Sequence, residues 1–304
     1  MVFAIAYEIS QETYCEDFIK SLKISEKLRK TAYFYISNSH RSEIITLIKH
    51  VSESCELIRT TVHLAIYLYD IYCDYYNICN ILDLSLIAIS CIHIASKVEE
   101  NDKNIPEIST LLEFANECWN REHIKEMEIY ILKFFDWYVL VPTAANFIDY
   151  FVNMSYDFRD LPIGEFPEDE NEIVFDFLDL ILEDIRLVNI SPSVMAAACL
   201  SATRKQIGYK DVWSPLLEEL TGYKYSEIEE YVETLFILKS KINKMFKDDD
   251  QIKFVDLASS SLSKSNVTTV VVKTVNIIRP KRSLGNTDWG DNTDEKPHKK
   301  MCFK

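Results

Sequence analysis

Four ionisable side chains, Arg41, Asp70, Lys97 and Glu128, stand where the sequence around them is apolar. Arg41 begins one helical run and Asp70 lies late in the next. Lys97 ends a third, and Glu128 follows Met127 in a fourth. A charge withdrawn from water has to be paired or hydrogen-bonded, because burial of a lone ion is prohibitively costly. Such residues are therefore helix-end charges reaching solvent, or members of an ion pair or a binding surface. None of them is a nucleophile beside a base. His63 and His93 lie on apolar runs, where a hydrogen-bonded core histidine is the simpler reading than a ligand or a base. Cys73 and Cys79 flank a helix end without a histidine at metal-site spacing, so no metal is expected. The chain has five glycines and none before Gly164. A phosphate-cradling loop, a dinucleotide fingerprint and a Gly-x-Ser-x-Gly elbow therefore cannot be written, His-Glu-x-x-His is absent, and no cofactor is expected.

The elements that must position these residues are helices. Ser85 to Glu100 is apolar or small almost all the way round until Lys97, Glu99 and Glu100, the pattern of a helix buried on every side that surfaces at its C-terminal end. The pattern returns 108 residues later in Ser193 to Lys205, pairing Ser85 with Ser193, Ala88 with Ala196, Cys91 with Cys199 and Lys97 with Lys205. A repeat of this kind implies two copies of one helical unit, each around its own core helix.

The remaining periodicities predict helices over 12–30 (inward face Tyr14, Phe18, Leu22), Ser39–Ser54 (Ile44, Ile45, Leu47, Ile48, Val51) and Thr60–Tyr76. Further helices are expected over Glu107–Asn116, with Pro106 at its start, and over Arg121–Phe135. Pro142-Thr143 separates the units. The second continues with Thr143–Met154, a charged loop to Asn171, Glu172–Val188, Pro192–Gln206, Val212–Thr221 and Ser226–Phe246. The class is all-α. The expected divisions are 1–37, an N-terminal helix region; 38–141 and 142–247, two five-helix bundles in tandem; and 248–304, a flexible, disordered tail. Val267–Ile278 is a β-prone run within that tail.

The chain has 304 residues, 48% of them hydrophobic, enough for two sizeable cores. No apolar run is read as long enough to cross a bilayer, and the N-terminus lacks the basic region of a signal peptide, so no membrane partner is expected. Eight scattered cysteines without Cys-x-x-Cys fit a reducing compartment, nucleus and/or cytoplasm. Residues 1–247 hold 23 Lys/Arg against 40 Asp/Glu, a net −17, which argues against nucleic acid. The tail is slightly basic, and Arg279–Arg282 with Lys296–Lys300 could be read by nuclear import.

His63-Leu-Ala-Ile-Tyr-Leu-Tyr-Asp70, Ile94-Ala-Ser-Lys97-Val-Glu-Glu100, Met127-Glu128 and Val141-Pro-Thr143 together resemble the cyclin box. The resemblance covers about residues 12–246. Thr143 to Phe151 and Ser191 to Cys199 are most similar to the cyclin J branch. The five residues that members share match Arg41, Asp70, Leu86, Lys97 and Glu128, in order. The resemblance implies the cyclin fold and a non-catalytic regulatory subunit that binds and activates a cyclin-dependent protein kinase, in cell-cycle control. It implies a kinase heterodimer and the kinase's protein substrates as partners. Lys97 and Glu128 would meet the kinase from one exposed face, Arg41 and Asp70 would pair inside the first box, and Leu86 would be core.

The alternatives are a transcription-type cyclin, a cyclin-fold transcription factor acting as a binding module, and a helical hydrolase. The cyclin-J-like segments, the acidic body without cysteine pairs and the missing nucleophile motifs count against each in turn. Cell-cycle cyclins recruit substrates through a Met-Arg-Ala-Ile-Leu patch followed by a Trp. Here the place is taken by His40-Arg41-Ser42-Glu43-Ile44 and then Leu47, so the patch is degenerate and weak docking of Arg-x-Leu peptides is expected.

Overall fold

In the computed structural model, residues 17–33, 40–76, 78, 80–115, 119–154 and 170–259 are described. The described residues contain helices and no strands. A helix over 17–25 (α1) runs into a 3-10 turn, Glu26–Leu28. Five helices follow: α2 Arg41–Ser54, α3 Arg59–Tyr76, α4 Ile81–Glu99, α5 Ile108–Leu112 and α6 Arg121–Phe134. Five more are α7 Ala144–Met154, α8 Glu170–Leu180, α9 Pro192–Ile207, α10 Pro215–Thr221 and α11 Tyr225–Ser259.

The central helices follow directly from their composition. In α4 every residue from Leu86 to Ser96 is buried, because α2, α3 and α6 all pack against it. Its first turn is capped by the Asn80 side chain, which accepts from the Leu82 amide. By length and composition α4 could cross a membrane, which corrects the expectation that no apolar run is long enough. Here it is the buried core of the first bundle. In α9, Pro192 occupies the first turn and Gly208, at φ 92°, closes the last, where only glycine is unstrained. Helices α7 and α8 cover α9. Each core helix is third among its five, and three of the four repeat pairs match in environment, Ser85 being less buried than Ser193. Ala88 and Ala196 are fully buried, as are Cys91 and Cys199, while Lys97 and Lys205 are both exposed. Alanine at these points lets neighbouring backbones close in.

The segment 17–33 joins the two bundles. Ile19 is buried in the second core and Ala32 in the first. The Asn189 amide holds the Ala32 backbone at both ends, accepting from its N–H at 2.7 Å and donating to its carbonyl at 2.8 Å. Both Glu26 oxygens accept from Ser193 at the start of α9, at 2.8 and 3.1 Å.

Several boundaries differ from expectation. On α1 the expected Leu22 packs against the second core, but the buried residue beside it is Ile19, and Phe18 is exposed; Tyr14 lies outside the described residues. Pro106 precedes α5 rather than opening it, and α5 is five residues long. The helix expected over Glu172–Val188 stops at Leu180 and gives way to 3-10 turns at Ile181–Glu183 and Ile185–Asn189. Between them Asp184 is extended and its side chain accepts from the Arg186 amide, a cap that restarts the chain. Helix α11 continues through Asp248–Asp250 to Ser259, past the expected start of the tail. Val267–Ile278 and the two basic clusters lie outside the described residues.

Ala88 is fully buried in α4. Ala88→Leu should overpack α4 against its neighbours and lower stability by about 1–3 kcal/mol, read as a shift of the denaturant midpoint. An unchanged midpoint would show that α4 is not enclosed.

Candidate functional site

Arg41 is the first residue of α2, and Asp70 lies two turns from the end of α3. They form a buried fork: Arg41 Nε donates to Asp70 Oδ1 at 2.8 Å and Nη2 to Oδ2 at 2.7 Å. The guanidinium does more than pair. Its Nη2 also donates to the Leu182 carbonyl at 2.9 Å, and its Nη1 to the Glu183 carbonyl at 3.2 Å. Those carbonyls belong to the 3-10 turn that ends α8, and terminal carbonyls need outside donors. One side chain of the first bundle thus caps a helix end of the second.

Burial disfavours charge on both partners. On Arg41 the carboxylate outweighs burial and holds the guanidinium above its usual range. On Asp70 burial outweighs Arg41 and pushes the carboxyl up. We take the pair as ionic because both bonds of the fork are made. Weaker bridges flank it, Lys49 to Glu183 at 2.6 Å and Arg59 to Asp179 at 2.8 Å. Both are substantially solvated and contribute little individually.

Lys97 and Glu128 also meet. Lys97 Nζ donates to Glu128 Oε1 at 2.8 Å, joining the end of α4 to the middle of α6. The expectation of one exposed face needs correction. The Lys97 side chain is 41% exposed, but Glu128 is 8% exposed. The carboxylate is sunk between the helices because His93 Nδ1 approaches the same oxygen. Burial works against the Glu128 charge, and the His93 and Lys97 bonds outweigh it, so its pKa lies below the ordinary glutamate value. His93 is the member that sequence reasoning treated only as core. Its position four residues before Lys97 puts both on one stripe of α4, and that spacing was the signal available. His63, in contrast, has no hydrogen-bond partner at Nε2 among the described residues. The expectation of a hydrogen-bonded histidine holds for His93 and fails for His63.

The remaining expected site residues separate. Leu86 is buried in the first core. Of the degenerate patch, Arg41 and Ile44 are buried, Leu47 is partly buried and Glu43 is exposed. His40 and Glu43 were expected to lack partners; they face each other, Nδ1 to Oε2 at 3.3 Å. Beyond Glu128, the end of α6 leaves large apolar groups in solvent. Trp137 is 63% and Leu140 68% exposed. Asp136 and Trp137 both have positive φ, 52° and 62°. That conformation is unfavourable for a bulky residue, and it turns the chain out of α6 after two backbone bonds close its last turn, Asp136 N–H to the Lys133 carbonyl and Trp137 N–H to the Leu132 carbonyl.

Residues 11–140 match the family model of the cyclin N-terminal domain, and residues 142–256 that of the cyclin C-terminal domain. The chain belongs to the cyclin family. Among its relatives, a mouse cyclin-J-like protein is 27% identical over 268 residues, 82% of this chain and 66% of that protein. Cyclin-J of Xenopus laevis is 31% identical over 204 residues, 63% of this chain and 53% of that one. This cyclin thus spans between about half and two thirds of the length of those relatives. A solved viral cyclin from herpesvirus saimiri shares the fold, with a TM-score of 0.58 and 20% identity over 73% of this chain and 96% of the viral one. The family is regulatory rather than catalytic, and cyclin-box proteins generally regulate cyclin-dependent kinases.

Removing Asp70 would leave Arg41 buried with only carbonyl acceptors. Breaking a buried pair from one side costs roughly 3–5 kcal/mol, so Asp70→Ala should lower the melting temperature sharply in calorimetry. A melting curve like that of the wild type would show the pair to be energetically idle.

Proposed function

We propose that this cyclin binds a cyclin-dependent protein kinase as a heterodimer and activates it, with cell-cycle control as the setting. One observation carries the reading. Of the three protons on Lys97 Nζ, one is spent on Glu128, and among the described residues Glu128 Oε2 accepts no hydrogen bond. A half-buried ion pair therefore presents an unspent donor and an unspent acceptor at the junction of α4 and α6. Exposed apolar residues, Trp137 and Leu140, follow on the same segment of chain. Large apolar anchors beside a fixed polar pair are what a specific protein interface uses. Activation then works by population shift: a cyclin that binds only the active position of the kinase's regulatory helix favours that position by its binding energy. The kinase's protein substrates would join the heterodimer.

We also propose the nucleus or the cytoplasm as the compartment. Support comes from Cys55, Cys73, Cys91 and Cys199, which are free thiols. Burial pushes Cys73 and Cys91 well above the ordinary thiol value, so these two are packing groups rather than reactive ones.

Truncating one charge of a pair in a desolvated interface typically costs about 2–5 kcal/mol of binding. Lys97→Ala combined with Glu128→Ala should abolish kinase activation in a histone-type phosphorylation assay, with helical circular dichroism retained. Full activation by the double variant would defeat the reading.

Substrate docking gives a separate test. With His40 and Glu43 paired, and Arg41 and Ile44 turned inward, the patch offers no apolar floor for a leucine. Arg-x-Leu peptides should bind weakly in a fluorescence titration, and Glu43→Ile should tighten them. Micromolar affinity in the wild type would show that a working groove survives.

A further inference from the structure

Between the two bundles lies a half-open cavity of about 60 Å³, next to the Arg41–Asp70 fork. At about 10–15 Å³ for each water-sized occupant, it has room for roughly four to six of them. Its polar walls can be accounted for one by one. Both oxygens of Asp70 are taken by Arg41, and Arg41 spends its remaining reach on the Leu182 and Glu183 carbonyls. Both oxygens of Asp184 are taken by Arg186. Tyr67 donates its hydroxyl to the Lys30 carbonyl, and Thr143 donates to Asn146 Oδ1.

Two donors are left over. Arg29 stacks its guanidinium on the Tyr67 ring at 3.9 Å and gives Nη1 to the Pro142 carbonyl at 2.6 Å. No carboxylate pairs with it among the described residues. Glu26, the carboxylate whose charge acts on it, is committed to Ser193. His63, 3% exposed, lines the same cavity with Nε2 unpartnered. The Asp179 carboxylate is its ion-pair neighbour, with Oδ1 at 3.9 Å, beyond hydrogen-bond reach, while Arg59 takes Oδ2. Burial holds the His63 ring below the ordinary histidine value, Asp179 works against that, and Lys49 and Arg59 reinforce it. A neutral ring with its proton on Nε2, or the charged ring, donates there.

A small cavity with a spare guanidinium edge, a spare imidazole donor and both of its lining carboxylates already bonded to arginines is complementary to a group that only accepts. We propose that this cavity binds a phosphate-type oxyanion between Arg29 and His63. Arginine meets tetrahedral oxyanions with two parallel bonds. The anion would tie the segment after α1 to α3 at the seam of the two bundles. Two sources carry this chemistry: free inorganic phosphate, and a phosphate on a partner's side chain. The proposal is independent of the kinase reading, and no kinase enters its test.

The full-length protein is titrated with sodium phosphate, and separately with O-phosphoserine, against sodium chloride at equal ionic strength. Binding is read by thermal shift and by broadening of the phosphorus resonance of the free anion. A saturable response in the wild type is expected. It should weaken roughly tenfold or more in Arg29→Gln, the loss of a charge-assisted bond, and also weaken in His63→Gln. Lys125→Gln, an exposed site elsewhere, should keep it. Binding of phosphate alone assigns the free ion, and binding of phosphoserine as well admits a phosphorylated partner. No saturable response in the wild type overturns the site; this arm reads directly on the unaltered protein, whatever the variants' stability. An undiminished response in both folded variants does so too.

Discussion

The structure depends on a single guanidinium. Arg41 is held by Asp70 within the first bundle, and what remains of its donor capacity closes the carbonyl end of α8 in the second. An ion pair that satisfied only itself would contribute little beyond the desolvation it incurs. This one also supplies donors to carbonyls that the helix cannot satisfy internally, so one buried residue sets the internal order of one bundle and the placement of the next. The break at Leu180 follows from the same interaction. The chain leaves α-helical geometry where Arg41 takes its carbonyls, and Asp184 restarts it in a new turn.

The junction carries further bonds of the same type. Asn189 clasps the Ala32 backbone, Glu26 holds the start of α9, and Arg29 reaches the Pro142 carbonyl between the bundles. Most of these join a side chain to backbone groups that lie at helix ends or between helices. Such groups have no helical partner and are costly to leave unsatisfied. The segment 17–33 therefore acts as a strap whose polar side chains complete the ends of other elements, while Ile19 and Ala32 anchor it in the two cores.

The same logic, reversed, shapes the α4–α6 surface. There the polar group is buried but left incomplete. Glu128 is desolvated, held below its ordinary pKa by His93 and Lys97, and keeps one oxygen unspent. A carboxylate fixed in this way cannot relax toward solvent, which gives it directional value to a partner that a freely rotating surface glutamate lacks. After α6 the turn at Asp136 and Trp137, both at positive φ, leads into exposed apolar groups.

Much of this was legible in the residues. The run Ser85–Glu100 and its echo at Ser193–Lys205 read as enclosed helices, because neither offers water a face, and the repeat predicts two bundles. Arg41, Asp70, Lys97 and Glu128 announce themselves as charges in apolar surroundings. What periodicity could not supply was rotation and partnership. Phe18 and Ile19 serve equally well as the inward residue of an isolated amphipathic helix, and only the second core selects Ile19. The stop at Leu180 depends on a guanidinium more than 130 residues away in the chain. Glu128 stands out by pattern as a charge beside an apolar residue, but its depth is set by His93 and Lys97 across a helix–helix contact. Helices and their cores were determined locally, by which side chains water rejects. The pairing of the few polar groups enclosed with them was decided only in the tertiary structure, because a hydrogen bond needs its partner within about 3 Å and sequence spacing carries no such distance between helices.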